Sequence, residues 1–230
     1  MRIVVLGATG PTGRRLTEQA LAAGHRVTAV ARRAGSLPGQ DGLTAVGADV
    51  TDAAAVDAAV SGADAVLSAL GAPPGRGPVD LYSTGMRHVL AAMERQGVKR
   101  LVAVSSSVLD PAWRPSGAFF FNHVLDPYVN RVVARAAHAD MRRMEALVRR
   151  SAVDWTIARP SGLFDHPEVT DFGLAEDSAD GVFTSRADLA AAMLGQLTDD
   201  RYVRRAMGVV TTDVRPRIPR MIWREVTRKR

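Results

Sequence analysis

Three glycines spaced Gly7-x-x-Gly10-x-x-Gly13 lie between two segments of different periodicity. Before them, Ile3 to Leu6 is an unbroken aliphatic run, the pattern of a strand buried on both faces. After them, Leu16, Ala20 and Leu21 recur at helical spacing up to Gly24. The order is therefore strand, glycine turn, helix. Backbone amides at such a helix start carry partial positive charge and suit a diphosphate. Glycines at these points permit a tight turn, close approach of phosphates, and packing of helix on strand. Gly7, Gly10 and Gly13 are accordingly expected to line a dinucleotide site.

The same alternation runs along the chain. Strands are expected at 26–30, 43–46, 63–68, 100–104, 153–158 and 206–210. Helices are expected at 52–60, 79–96 and 127–150, with another starting at Ser185. The 52–60 helix takes Thr51 or Asp52 as its cap, and Arg159-Pro160 stops the strand before it. In the long helix Val132, Val133, Ala136, Met144, Leu147 and Val148 face inward. Residues 162–182 read as loop with a short hairpin. Alternating strands and helices predict an α/β fold, a Rossmann-type doubly wound parallel sheet covered on both faces. It forms a single domain over 1–213, with substrate loops at 105–125 and 160–182, followed by a basic tail at 214–230. In such a sheet every loop that follows a strand reaches one edge, where ligands bind.

Charge must be located before it is interpreted. The net charge is +6. Residues 214–230 hold Arg215, Arg217, Arg220, Arg224, Arg228, Lys229 and Arg230 against Glu225, which accounts for all of it. A neutral body with a basic arm argues against a nucleic-acid-binding fold. The arm suits an acidic surface, a membrane, a neighbouring subunit or simply water. Cysteine is absent, so disulfides and thiolate metal sites are excluded. No signal segment precedes the first strand and no apolar run suffices to span a bilayer, so a cytoplasmic protein is expected, without membrane or nucleic-acid partners and with a homo-oligomer open. No His/Asp/Glu grouping has metal-ligand spacing, and no Gly-x-Ser-x-Gly elbow is present.

The end of the second strand distinguishes the nucleotides. A site selective for NAD usually has a carboxylate there for the ribose 2′-hydroxyl. Arg32 and Arg33 stand there instead. A guanidinium forms a charge-assisted fork with a 2′-phosphate that a carboxylate would repel, so NADPH is the expected cofactor. Asp49 either lies near the adenine or caps the following helix.

Gly7-Ala-Thr-Gly10-x-Thr-Gly13, Val30-x-Arg32, Gly47-x-Asp49-Val50, Ser161-Gly162-Leu163 and Thr184-Ser185-Arg186-x-Asp188-Leu189 resemble the atypical short-chain dehydrogenase/reductases. Within these the chain is most similar to the NAD(P)H-binding group that includes biliverdin-IXβ reductase, a flavin reductase. The resemblance covers about residues 1–210. It implies that Thr9, Gly10, Thr12 and Gly13 hold the diphosphate and Arg32 the 2′-phosphate. It places Asp49 and Val50 beside the adenine, Leu70 and Gly71 along the ribose and nicotinamide, and Ser106 beside the nicotinamide. Ser105 to Ser107 also reads as a strand end capped by hydroxyls.

The chain departs from the resemblance in its proton donors. The superfamily's usual Tyr-x-x-x-Lys is missing: Met86, Val132 and Ala206 follow Tyr82, Tyr128 and Tyr202 at that spacing. The histidine that flavin-reductase relatives carry after the sixth strand is replaced by Gly162. Reducing an isolated ketone benefits from a positioned acid. Reducing a flavin or quinone needs mainly orientation, because protons can come from solvent. The expected activity is NADPH-dependent reduction of a planar, conjugated small molecule. A dinucleotide sensor without turnover, or a ketoreductase or dehydratase using His123 or Tyr128, are the competing readings. Trp113 and Phe119-Phe120-Phe121 form either a flap that stacks on a planar substrate or a plug under the long helix.

Overall fold

The structure is a computed structural model and describes residues 1–72, 78–116 and 134–216. The aliphatic runs pair as parallel neighbours. In chain order the strands are β1 (Arg2–Leu6), β2 (Arg26–Ala31), β3 (Leu43–Gly47), β4 (Ala65–Ser68), β5 (Arg100–Val104), β6 (Asp154–Pro160), β7 (Gly162–Phe164), β8 (Phe172–Glu176), β9 (Phe183–Ser185) and β10 (Arg205–Thr211). The helices are α1 (Pro11–Ala22), α2 (Ala53–Val60), α3 (Leu81–Gln96), α4 (Arg135–Arg150) and α5 (Arg186–Gly195). Eight strands form one sheet in the order β3-β2-β1-β4-β5-β6-β10-β8. All neighbours are parallel except β8, which runs antiparallel to β10.

Alternation along β1 explains its unbroken hydrophobicity. Val4 and Leu6 join Val56, Val89, Met93, Met144 and Val148 under α2, α3 and α4. Ile3 and Val5 join Leu16, Ala20, Leu189 and Met193 under α1 and α5. Both faces are covered, so a polar residue in either row would be buried without a partner. Leu6, Leu16, Met93 and Met193 are fully buried, each contributing about 1.5–3 kcal/mol by leaving water.

β2 and β3 lie on one side of β1, and β4, β5 and β6 on the other. The strand order therefore reverses between β1 and β4. Leu6 is level with Val30 and Ser68, and Val104 with Ala158. The loops after these strands consequently meet at one edge, with a crevice at the reversal.

Three segments differ from the sequence reading. β6 does not stop at Ala158 but continues through Arg159 to Pro160, which is level with Val209; Arg159 stays in the buried strand because a carboxylate on α4 meets it. Residues 162–182 contain no hairpin. β7 pairs in parallel with β9 in a separate two-stranded sheet, where Phe164 and Phe183 meet edge to face at 6.5 Å, while β8 extends the main sheet beside β10. In α4, Met144 and Val148 face inward as expected, but Leu147 and Ala136 are only half-buried, and the carboxylates Asp140 and Glu145 are buried instead. Val132 and Val133 lie outside the described residues.

Candidate functional site

The glycine loop is built by a turn bond from the Gly10 amide to the Gly7 carbonyl at 2.9 Å, by bonds to the neighbouring strand and by close approach. Gly7 has φ +76°, and the N–H groups of Gly7 and Ala8 both donate to the Val30 carbonyl, at 3.0 and 3.2 Å. A Cβ on Gly7 would lie 2.6 Å from the Ala69 oxygen, and one on Gly13 only 2.1 Å from the Gly7 oxygen. Gly7 therefore locks the end of β1 against the ends of β2 and β4, and Gly13 lets α1 pack on the turn. Gly10 differs: a Cβ there meets only the Gly7 oxygen, at 3.2 Å. Its Cα is otherwise open, the condition for a phosphate to reach the backbone. Gly10 is also the N-cap of α1 and supplies no side-chain bond, with Pro11 following. The first amides of α1 are thus left without a side-chain cap, which suits an anion. The sequence reading missed Arg14, whose Nε donates to the Thr9 carbonyl at 3.1 Å and draws the guanidinium back along the loop.

Arg32 and Arg33 are exposed just past β2. Neither forms an ion pair among the described residues. Asp49 accepts from the Thr51 amide at 2.9 Å and the Thr51 hydroxyl at 2.8 Å. The Thr51 amide first, then its hydroxyl, with Arg32 contributing less, hold its carboxyl below the usual range. The helix cap is not Asp49 but Asp52, which accepts from Ala54 and Ala55. Val50 is buried, and its carbonyl lies 3.0 Å from the His88 ring. Gly85 on α3 makes room for it: a Cβ there would stand 3.0 Å from Val50 and 3.4 Å from Leu70. Val50 and Leu70 are thereby gathered over one spot on α3. Gly71 is exposed with open space above its Cα. The structure therefore brings the glycine loop, Arg32, Asp49, Val50, Leu70 and Gly71 to the one crevice.

Beyond β5 the three serines have different fates. The Ser105 hydroxyl donates to Glu145 at 2.7 Å, and the Ser107 hydroxyl to the Arg159 carbonyl at 2.9 Å. Both are buried. Ser106 between them is half-exposed, and its hydroxyl has no partner among the described residues. The group below is an ion pair. Arg159 grips Glu145 with Nε at 3.0 Å and a terminal nitrogen at 2.7 Å, and lies 3.6 Å from Asp177. Burial would depress the Arg159 pKa, but bonding and charge from Glu145 outweigh it and raise it, so the guanidinium stays charged.

The indole of Trp113 is buried and donates to the Ala179 carbonyl at 3.1 Å. Trp113 therefore ties the segment after β5 to the segment after β8, and is not placed under the long helix. Phe119, Phe120, Phe121, His123 and Tyr128 lie outside the described residues, as does the basic tail from residue 217. Thr184 to Leu189 is a fastening. Asp188 is fully buried and accepts from the Thr170 amide at 2.7 Å, the Thr170 hydroxyl at 3.0 Å and the Thr211 hydroxyl, while Ser185 caps α5 through the Asp188 amide. Among the described residues no helix is long and apolar enough to cross a membrane, and no cluster of three or more His, Asp or Glu could hold a metal.

Comparison with known proteins gives the family and the fold. A family profile described as NAD(P)H-binding matches residues 7–200. An uncharacterized chloroplastic protein of Arabidopsis thaliana is 31% identical over 176 residues, which is 72% of this chain and 60% of that protein. This chain therefore spans less than two thirds of that relative. A short-chain dehydrogenase/reductase of Veillonella parvula in complex with NADP superposes with a TM-score of 0.77 at 20% identity, covering 92% of this chain and 95% of that one. ChuY, an anaerobilin reductase of Escherichia coli O157:H7, superposes at 0.72 and 23% identity over 94% and 100% of the two chains. The chain thus belongs to the NAD(P)H-binding family and shares the Rossmann fold of these structures.

Proposed function

We propose that the chain is an NADPH-dependent oxidoreductase whose acceptor is a flavin, quinone or similar conjugated small molecule. The observation that carries the cofactor is a pair of exposed guanidiniums, Arg32 and Arg33, that form no ion pair among the described residues and stand beside an open glycine loop. Gly10 fits a diphosphate because little of the protein occupies the space over its Cα. The uncapped first turn of α1 supplies the amides for it. Arg32 would hold the 2′-phosphate, with Arg33 beside it and Asp49 and Val50 against the adenine. Leu70 and Gly71 would line the nicotinamide half, and Thr9 and Thr12 the diphosphate.

The bound nucleotide would supply the hydride. The chain's share is alignment. Ser106 is the hydroxyl of the serine run that is free to meet an acceptor carbonyl or the cofactor carboxamide, because Ser105 and Ser107 are committed to Glu145 and to β6. It has no base beside it among the described residues, so it can polarise but not serve as a strong acid. His123 and Tyr128 remain candidate donors. A site of this kind suits an electron-poor acceptor that takes its protons from solvent.

The test is turnover of NADPH and NADH by the full chain with FMN, simple quinones and an isolated ketone. The expected result is NADPH oxidation with the flavin or quinone and little with the ketone. Tight NADPH binding with no turnover of any acceptor would replace this reading with a dinucleotide sensor.

A further inference from the structure

Asp140 is a fully buried carboxylate on α4. The residue at the cap position of α3, Asp80, makes no side-chain bond to that helix. Asp140 takes its place from the neighbouring helix. Its Oδ2 accepts from the Tyr82 amide at 2.8 Å and the Ser83 amide at 3.3 Å. Its Oδ1 accepts from Arg143 at 3.0 Å, and the same Arg143 nitrogen donates to the Val79 carbonyl at 2.9 Å. A carboxylate at a helix start is favoured by the dipole and by charge-assisted bonding. The entry to α3 is thus clamped from α4 on both sides.

Tyr82 is the next link. Its ring is buried in the core, and its phenol oxygen accepts from the Ala72 amide at 2.9 Å. Burial first, and the charge of Asp140 in part, raise the phenol pKa against the opposing Ala72 bond, so the side chain is neutral. Ala72 directly follows Leu70 and Gly71 at the carboxyl end of β4. A continuous line of contacts therefore joins a buried charge on α4 to the backbone at the crevice.

We infer that Asp140 and Tyr82 are positioning residues for the nicotinamide half of the dinucleotide, which they serve by fixing the backbone of Leu70 to Ala72. The inference rests on the proposed placement of the cofactor. A dinucleotide with its 2′-phosphate over the end of β2 crosses β1 and lays its other half over β4. Only that half meets the backbone that Tyr82 holds.

Tyr82→Phe keeps the ring in the core and removes one acceptor, so it tests the link with little risk to folding. Affinities of the full chain for NADPH and for adenosine 2′,5′-bisphosphate, which lacks the nicotinamide half, are measured by calorimetry. NADPH binding should weaken about five- to tenfold, the scale of one hydrogen bond, while the bisphosphate is held as tightly as before. Asp140→Asn should give the same split, and the double variant should be no worse than the poorer single, because both act through one chain of contacts. Unchanged NADPH affinity in Tyr82→Phe overturns the inference. So does equal loss for the two ligands, which means general loosening of the site. A wild-type protein that binds neither ligand overturns the cofactor placement itself and this inference with it.

Discussion

Arg32 and Arg159 both stand at the carboxyl end of a parallel strand, in opposite surroundings. Arg32 is exposed, and no carboxylate pairs with it among the described residues. The Arg159 side chain is 8% exposed and held by Glu145 at 2.7 Å. The same contrast separates the two sides of the crevice. On the β1–β3 side the polar groups are backbone amides, the Asp49 carboxylate held by Thr51, and the exposed Arg32 and Arg33, which form no ion pair among the described residues. On the β5–β6 side, Asp140, Glu145, Arg159 and Asp188 are buried and bonded. A cation left in water keeps its hydrogen-bonding capacity for a phosphate. One that is buried and satisfied has spent that capacity on holding the fold. The first side is built to bind and the second to hold still whatever faces the ligand.

The largest expected effect follows from the buried side. Glu145→Ala leaves Arg159 and the Ser105 hydroxyl without their acceptor. Removing one partner of a buried pair costs about 3–5 kcal/mol. The loss should be read in urea unfolding, with Asp177, 3.6 Å from Arg159, as a partial substitute. Arg32→Ala should change stability by no more than about 0.5 kcal/mol, as an exposed substitution. Similar stability costs for the two variants would break the comparison.

Arg32→Ala should show its effect in cofactor selection. The loss of one charge-assisted phosphate fork is worth about 1.5–3 kcal/mol, roughly ten- to a hundredfold. NADPH affinity should fall by that factor in direct titration, while NADH affinity stays level. Equal affinity of the wild-type protein for the two nucleotides would remove the binding role from this side.

The same contrast explains what the sequence made legible. The glycine loop closes within seven residues, and Asp52 and Ser185 cap the helices that follow them, so short-range spacing was enough. The alternation of strands and helices forecast the doubly wound sheet. The buried side depends on partners far apart in the chain. Asp140 reaches Tyr82 across 58 positions, and Asp188 reaches Thr211 across 23. Nothing in the local pattern of α4 says that two of its carboxylates turn inward, because an isolated charge reads as a solvated one. Arg159-Pro160 looked like a strand end for the same reason: its partner lies on another element. The Thr184 to Leu189 motif, which helped carry the family resemblance, proved to be a fastening around Asp188. Trp113 was readable as a flap on the substrate or a plug under the long helix, and its bond to the Ala179 carbonyl ties it instead to the segment after β8.

Ser106 sits where the two sides meet, and it gives the smallest expected effect. Its neighbours are pinned, Ser105 by Glu145 and Ser107 by the Arg159 carbonyl, so the buried pair holds the backbone on which the free hydroxyl stands. If that hydroxyl polarises the acceptor, it is worth roughly 1–3 kcal/mol in the transition state, the scale of a hydrogen bond to developing charge. A flavin needs little help from an acid, so the low end applies. Ser106→Ala should therefore cut turnover with FMN about tenfold. NADPH affinity and the urea midpoint should barely move, since no described contact is lost. Glu145→Ala should lower the same turnover by misplacing Ser106, and should add little in the Ser106→Ala background, because residues acting through one contact are not additive. Full activity of Ser106→Ala on each acceptor that the wild type reduces would mean that the serine run only ends the strand, and that the well-ordered side of the crevice orders some other group against the nicotinamide.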